Sequence, residues 1–343
     1  MKKLIVLLAV GALVAGCGQK SATPAASASH GQLSGAGATF PAPIYQQWAE
    51  SYRQAAGTQV SYQGIGSGGG IKQIESGTID FGGTDKPLQA DDLAKYKLMQ
   101  FPAVLGGVTP VVNLPGIAPG QLKLTGPVLA DIYAGKIKLW TDAQIAALNP
   151  GLNLPNLPIS VVHRSDGSGT TFLFTSYLSM VSPGWKAVAG ASDSIAWPEG
   201  IGGKGNDGVA AFVRQTLGSI GYVEYAYAVR NKLSQVQLRN HAGAMVTPTA
   251  DTFAAAAAGA DWASAPGYYL LLLDEPGANA WPISGASFIL LRLDTNASQR
   301  KAALAFFDWA FKNGDQAAAQ LDYVPLPEAL KTQVRASWGD YAH

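Results

Sequence analysis

Ser165-Asp166-Gly167-Ser168-Gly169-Thr170-Thr171 follows directly on the strand-like run Ile159-Ser160-Val161-Val162-His163-Arg164 and leads into a helical pattern. A second stretch, Gly64-Ile65-Gly66-Ser67-Gly68-Gly69-Gly70, follows the strand-like Gln59-Val60-Ser61-Tyr62-Gln63 in the same way. At such a junction the first backbone N–H groups of the helix have no intrahelical acceptor, and the positive end of the helix dipole faces outward. That combination holds anions. Both stretches add hydroxyl donors, and the first adds Arg164. Two junctions of this kind in one chain point to a small oxyanion held between two lobes.

The surrounding sequence has the rhythm of an α/β fold, with helices covering a central sheet. Pro41 sits where a first helical turn tolerates proline, and Ile44, Trp48 and Tyr52 recur at i, i+4 and i+8 up to Gly57. A strand at Val60–Gln63, a helix at Ile71–Ser76 and a strand at Ile79–Gly82 continue the alternation. Val104–Leu114 carries Gly106-Gly107 and Pro110 and reads as strands passing through a hinge into a second lobe. That lobe is expected to hold helices at Pro127–Ala134 and Asp142–Leu148, the Arg164–Thr171 junction, and a glycine cluster at 200–208 followed by a helix at Val209–Arg214. The alanine run Ala254–Ala258 reads as helical. A strand at Ser287–Leu293 and an amphipathic helix at Ala302–Phe311, with Leu304, Phe307 and Phe311 on one face, return to the first lobe.

A chain of 343 residues can bury a large core. Its 48% hydrophobic and 14% charged content argues against long disorder. The formal charge of +1 gives no support for nucleic-acid binding, so any anion site must be local. Met1-Lys2-Lys3 followed by the apolar run Leu4–Val14 reads as an export signal, too short to span a bilayer comfortably. Leu13-Val14-Ala15-Gly16-Cys17 resembles the lipobox of bacterial lipoproteins, in which the cysteine is lipidated and becomes the mature N-terminus. Residues 1–16 are therefore expected to be a signal peptide, and 17–30 a lipid-anchored flexible tether. Cys17 is the sole cysteine, so the chain forms no internal disulfide. The expected product is exported and anchored to the cell-envelope membrane, facing the periplasm or extracytoplasmic space.

Several motifs invite other readings. Gly64-x-Gly66-x-x-Gly69 after a strand, with Asp85 about 20 residues on, matches the dinucleotide fingerprint literally. An exported protein has no nicotinamide pool, and the fingerprint gives no place to the second junction. Lys204 in its glycine cluster fails the phosphate-loop pattern, because Gly205 follows it and Pro198 occupies the first glycine position; the cluster reads as a structural turn. Gly167-Ser168-Gly169 lacks the spacing of a nucleophile elbow. His30, His163, His241 and His343 show no metal-ligand spacing. No cofactor and no catalytic set is indicated.

At this point the chain resembles the phosphate-binding proteins of bacterial high-affinity phosphate ABC importers. The resemblance rests on Gly35-Ala36-Gly37-Ala38-Thr39-Phe40-Pro41-Ala42-Pro43, on Tyr62 to Gly69, and on Asp80-Phe81-Gly82-Gly83-Thr84-Asp85. It continues through Asp166 to Thr170, Gly202 to Gly208, and Gly221-Tyr222-Val223-Glu224-Tyr225-Ala226-Tyr227-Ala228. It covers nearly everything from about residue 32 to 340. The family implies a two-lobed periplasmic-binding-protein fold of type II, each lobe a central sheet flanked by helices, joined by a two-segment hinge. Lobe I would comprise 31–114 and 281–343, and lobe II 115–280. The resemblance assigns phosphate contacts to Thr39, Phe40, Ser67 and Asp85 from lobe I, and to Arg164, Ser168, Gly169 and Thr170 from lobe II. Asp166 would partner the arginine. It implies a monomer whose partners are inorganic phosphate and the permease subunits, with no enzyme activity. Gly68, Lys86 and His163 depart from the family pattern, and Lys86 or His163 could alter the field near Asp85 and Arg164. A binding protein for sulfate or molybdate is the near alternative, and an exported phosphatase a more distant one.

Overall fold

The computed structural model describes residues 32–342; the expected signal peptide, Cys17 and the tether lie outside them. β1 (Gln32–Gly37), β2 (Gln59–Gly64) and β3 (Phe81–Thr84) are parallel, with β1 in the middle. α1 (Ala42–Ala56) and α2 (Ser67–Glu75) are their crossovers, and α3 (Ala90–Tyr96) leads into β4 (Leu98–Val112). α1 buries Ile44, Tyr45, Trp48 and Tyr52 and stops at Gly57, whose left-handed φ of 72° lets its N–H reach Arg53 O. α2 starts four residues earlier than the hydrophobic pattern indicates. Gly68–Gly70 are poor helix formers, but this turn lies directly on β1: a Cβ on Gly70 would come within 2.5 Å of Gly37 Cα. β3 starts two residues later than expected, because Asp80 instead accepts hydrogen bonds from Ser34 N (2.7 Å) and Oγ (2.9 Å).

Beyond β4 come β5 (Lys123–Leu124), α4 (Gly126–Tyr133), α5 (Ala143–Leu148), β6 (Ser160–Arg164), α6 (Gly169–Val181) and α7 (Pro183–Val188). β7 (Ile201–Gly203), α8 (Gly205–Gln215), β8 (Ser219–Glu224) and α9 (Tyr225–Arg230) complete this part. The short β9 (Ser234–Gln235), β10 (Gln237–Arg239) and β11 (Met245–Val246) precede α10 (Ala250–Ala257), β12 (Leu272–Leu273) and β13 (Ile283–Arg292). The chain ends in α11 (Ala297–Asn313), α12 (Asp315–Gln320) and α13 (Glu328–Trp338).

The main sheet runs β2-β1-β3-β13-β4-β8-β6-β7, with β12 on β13 and β9 on β4; β11-β10-β5 form a small second sheet. β4 joins the two halves. Its first part pairs antiparallel with β13 from Leu98 to Gly107, and its end pairs with β8 from Val108 to Val112. The strand stays unbroken through Gly106-Gly107 and Pro110. Pro110 has no N–H to give, but its carbonyl accepts from Val236 N at 3.1 Å. The segment before β13 packs back on this pair of strands: Gln100 Nε2 donates to Gly267 O (2.6 Å), and Trp281 Nε1 to Val108 O (3.0 Å).

Two aromatic clusters fill the halves. Tyr45, Tyr62, Phe81, Phe101 and Phe307 interlock in one, with centroid separations of 5.0–6.1 Å. Tyr133, Phe174, Trp197 and Tyr222 form the other, Phe174 stacking on Tyr222 at 4.1 Å. Buried aromatic side chains of this size carry much of a core's stability. Among the described residues no helix is long and apolar enough to cross a membrane.

Candidate anion site

The loops that open α1, α2, α6 and α8 converge at the junction of the halves. Thr39 and Phe40 lie between β1 and α1, Ser67 is the first residue of α2, and Asp85 follows β3. From the other side come Arg164 at the end of β6, Asp166 in the following loop, Ser168 as N-cap of α6, and Gly169 and Thr170 in its first turn. All nine expected site residues are thereby gathered, and all but the partly exposed Asp166 are buried.

The hydroxyls are oriented by what donates to them. Ser67 Oγ accepts from Asp85 N (3.2 Å) and from Gly169 N across the cleft (3.0 Å). Thr39 Oγ1 accepts from Asn206 N (3.1 Å) and Asn206 Nδ2 (2.9 Å). Thr170 Oγ1 accepts from a terminal nitrogen of Arg164 (3.3 Å) and Asn206 Nδ2 (3.4 Å). A hydroxyl has two lone pairs and one proton. With both pairs occupied, each of these three can act toward a ligand only as a donor. Ser168 Oγ caps α6 by accepting from Thr171 N (3.0 Å).

Arg164 is held by Asp166 through a fork, Nε to Oδ1 at 2.8 Å and a terminal nitrogen to Oδ2 at 2.5 Å. A buried guanidinium is costly without such a partner. Gly205 N adds a hydrogen bond to Asp166 Oδ1 (3.0 Å). Burial alone would raise the Asp166 carboxyl, but the hydrogen bonds and charge of Arg164 outweigh it and hold the group below its ordinary range. Asp85 behaves in the opposite way. Burial pushes its carboxyl up to about 7, against the lowering influence of Ser287, of the Arg164 charge and of Ser67. Asp85 Oδ1 and the nearby Ser287 hydroxyl complete no hydrogen bond among the described residues. The site is thus a ring of donors with the Asp85 carboxyl left to accept or share a proton.

These contacts close a cleft between two sheet halves in a periplasmic-binding-protein arrangement. Residues 22–313 match the PBP superfamily domain. The chain is 54% identical over 308 residues to the phosphate-binding protein PstS of Xylella fastidiosa strain 9a5c, covering 90% of this chain and 85% of that one. It is 56% identical over 307 residues to PstS of Pasteurella multocida, covering 89% of each. The chain belongs to the PstS family. Among solved structures, a high-affinity periplasmic phosphate-binding protein bound with phosphate at pH 8.5 aligns with a TM-score of 0.72 at 24% identity, over 89% of this chain and 93% of that one. A phosphate-binding protein from Stenotrophomonas maltophilia aligns at 0.65 and 21%, with the same coverage. The fold is the type II periplasmic-binding-protein fold of PstS proteins. Among the described residues no group of three His, Cys, Asp or Glu could hold a metal ion.

Several residues around this candidate site escape sequence reasoning. The glycine cluster at 200–208 is more than a turn: α8 begins inside it at Gly205, which brings the Gly205 N–H to Asp166 and Asn206 to Thr39. Tyr227 OH donates to Thr39 O (2.6 Å), and Tyr323 OH lies 2.6 Å from Phe40 O and 3.1 Å from Glu224 Oε2. Asn206, Glu224 and Tyr227 fall within recognisable motifs, where a polar side chain next to glycines or ending a strand was the available signal. Tyr323 had none. Of the departures from the family pattern, Lys86 pairs with Asp193 at 3.2 Å, His163 stacks on Trp197 at 4.7 Å, and Gly68 N donates to Gly167 O at 2.9 Å.

Proposed function

We propose that this chain captures inorganic phosphate at the convergence of these loops and delivers it to the permease of a phosphate ABC importer outside the cytoplasm, making and breaking no bond. One observation carries the reading: three hydroxyls and an arginine are constrained to donate around the Asp85 carboxyl, whose Oδ1 has no partner among the described residues. Phosphate near neutral pH is an anion that still carries a proton, so it can accept from Thr39, Ser67, Arg164 and Thr170 while donating to Asp85. The Phe40 N–H and Ser168 complete the proposed contacts, the expected Gly169 contact is replaced by its N–H orienting Ser67 Oγ, and Asp166 holds the arginine. Sulfate and molybdate offer no such proton. Calorimetric titration of phosphate-stripped protein is expected to show one phosphate per chain and little heat with sulfate or molybdate. Sulfate binding as tight as phosphate would overturn the assignment, and so would steady turnover of a phosphate ester abolished by Ser168→Ala.

The lobe division at 31–114 and 281–343 against 115–280 belongs to the same proposal. Its support is that Thr39, Phe40, Ser67 and Asp85 lie before β4 ends, while Arg164 to Thr170 lie beyond it, so neither side is complete alone. Small-angle scattering is expected to show compaction on adding phosphate. A lipid on Cys17 is likewise proposed, on the support of the Leu13–Cys17 pattern. Cys17→Ser should release the protein from membranes with phosphate binding intact; retention after carbonate washing would overturn the anchor.

A further inference from the structure

Asn206, the second residue of α8, is fully buried and links both sides of the site. Its amide orientation is fixed by a neighbour. The backbone N–H of Glu224 can only donate, so the side-chain atom 3.1 Å from it is the carbonyl oxygen. The amide nitrogen therefore faces Thr39 Oγ1 at 2.9 Å and Thr170 Oγ1 at 3.4 Å, using one N–H for each. Thr39 comes from the β1–α1 loop and Thr170 from α6, so a single amide spans the two halves.

We propose that Asn206 is a positioning residue that aims the hydroxyl protons of Thr39 and Thr170 at the anion, and that for Thr39 it does so only when the halves close. The inference rests on the anion site proposed above and adds a residue that does not itself touch the ligand. Thr39 Oγ1 draws both of its donors from Asn206, the backbone N–H and the amide. Separation of the halves would remove both together and leave that hydroxyl to rotate. Closure turns it into a directed donor, so the geometry that grips phosphate is completed by the same movement that encloses it. Thr170 keeps both of its donors, Arg164 and the Asn206 amide, in either state, because all three residues lie on one side.

The test compares Asn206→Ala with Asn206→Asp by phosphate calorimetry, after unfolding midpoints confirm that each variant is folded. Alanine removes the aiming group and leaves the hydroxyls able to donate; a loss of roughly 10-fold is expected. Aspartate keeps the size but only accepts, so it draws both protons to itself, and a loss of roughly 10²–10⁴-fold is expected. A role in packing alone gives the reverse order, because aspartate fills the site and alanine does not. Aspartate binding phosphate as well as or better than alanine therefore overturns the proposal. The introduced charge is separated from the aiming effect by repeating the pair in a Thr39→Val/Thr170→Val background. There the aspartate penalty should shrink at least tenfold; an undiminished penalty means charge alone, which also overturns it. If Asn206→Asp does not fold, the Asn206→Ala by Thr39→Val cycle decides, and additive losses overturn the proposal. Failure of the wild type to bind phosphate would instead fall on the site assignment.

Discussion

Asp85 and Asp166 enter the cleft from opposite halves, each on a tight loop at the end of a β-strand, yet their surroundings shift the two carboxyls in opposite directions. Asp166 receives a two-pronged arginine and a backbone N–H, and stays ionised. Asp85 receives no cation within bonding distance, leaves one oxygen unpaired, and is raised to about 7. The difference is local. One loop places its aspartate two residues after an arginine in the same chain segment, while the other turns its aspartate into the buried floor beside Ser67 and Ser287. Under the proposed function, the pair lets a nearly neutral site bind an anion and still select it. In the proposed site the ion pair would supply directed donors with little net charge, and the isolated acid would test the ligand for a proton.

The largest effect expected from breaking this contrast is on selectivity. Asp85→Asn makes the isolated group a donor as well, so an unprotonated oxyanion is no longer faced by a carboxylate. Sites built around a ligand hydroxyl reject analogues lacking it by roughly 10⁴–10⁵-fold. Most of that margin against sulfate should vanish in the variant, while some phosphate affinity remains. Paired titrations of both anions into both proteins measure it, and unchanged discrimination would remove Asp85 as the selector.

On the other side, Arg164→Met removes the charge-assisted donors and leaves Asp166 with the Gly205 N–H alone. Two such hydrogen bonds correspond to roughly 10²–10⁴-fold in phosphate affinity. Asp166→Asn should cost less at the ligand, because the guanidinium remains. It should cost more in stability, because the buried cation loses its partner. If both variants lose affinity equally, Asp166 contacts the ligand directly and the contrast drawn here is wrong for that residue.

The two opposite shifts also predict opposite slopes of stability with pH. Between its ordinary value of 3.8 and about 7, Asp85 binds a proton in the folded protein that the unfolded chain does not hold. Stability therefore falls as pH rises through that interval, by at most about 4 kcal/mol, and the loss is complete above it. Asp166, held low, adds stability that disappears only in stronger acid. Urea unfolding in phosphate-free buffer from pH 4 to 8 should give a declining slope that Asp85→Asn flattens. Part of the slope should survive, because burial raises Glu224 as well. Identical slopes in both proteins would show that Asp85 is not the titrating group.

How much of this was legible depends on how local the cause is. Ile44, Trp48 and Tyr52 announce α1 by spacing alone, and the Arg164–Thr170 junction carries its own helix cap, arginine and counter-ion within seven residues. α2 begins earlier than its apolar spacing indicates because its first turn is glycine, and only the close approach to β1 explains that choice. The unbroken course of β4 through Gly106, Gly107 and Pro110 depends on partners more than 100 residues away. Asn206 and Tyr323 act on Thr39 and Phe40 across separations of 167 and 283 residues, which no local pattern encodes.

The smallest effect concerns the contact between the two loops themselves, and it separates affinity from folding. A Cβ placed on Gly169 would lie 2.6 Å from Asp85 Cβ, 2.6 Å from Ser67 Oγ and 2.7 Å from Asp85 Oδ2. All three atoms belong to the opposite half, so Gly169→Ala introduces its clash only when the cleft is shut. Overpacking by one methyl group in a tight interior typically costs about 1–3 kcal/mol, or roughly 5–150-fold in an equilibrium. Phosphate affinity should fall within that range, through faster release measured by stopped flow. The unfolding midpoint of the phosphate-free protein should stay within a degree or two of wild type. Scattering of the saturated variant should show it less compact than saturated wild type. A variant that loses stability without ligand, and binds phosphate normally once folded, would mean that Gly169 meets Asp85 and Ser67 in every state of the protein rather than on closure.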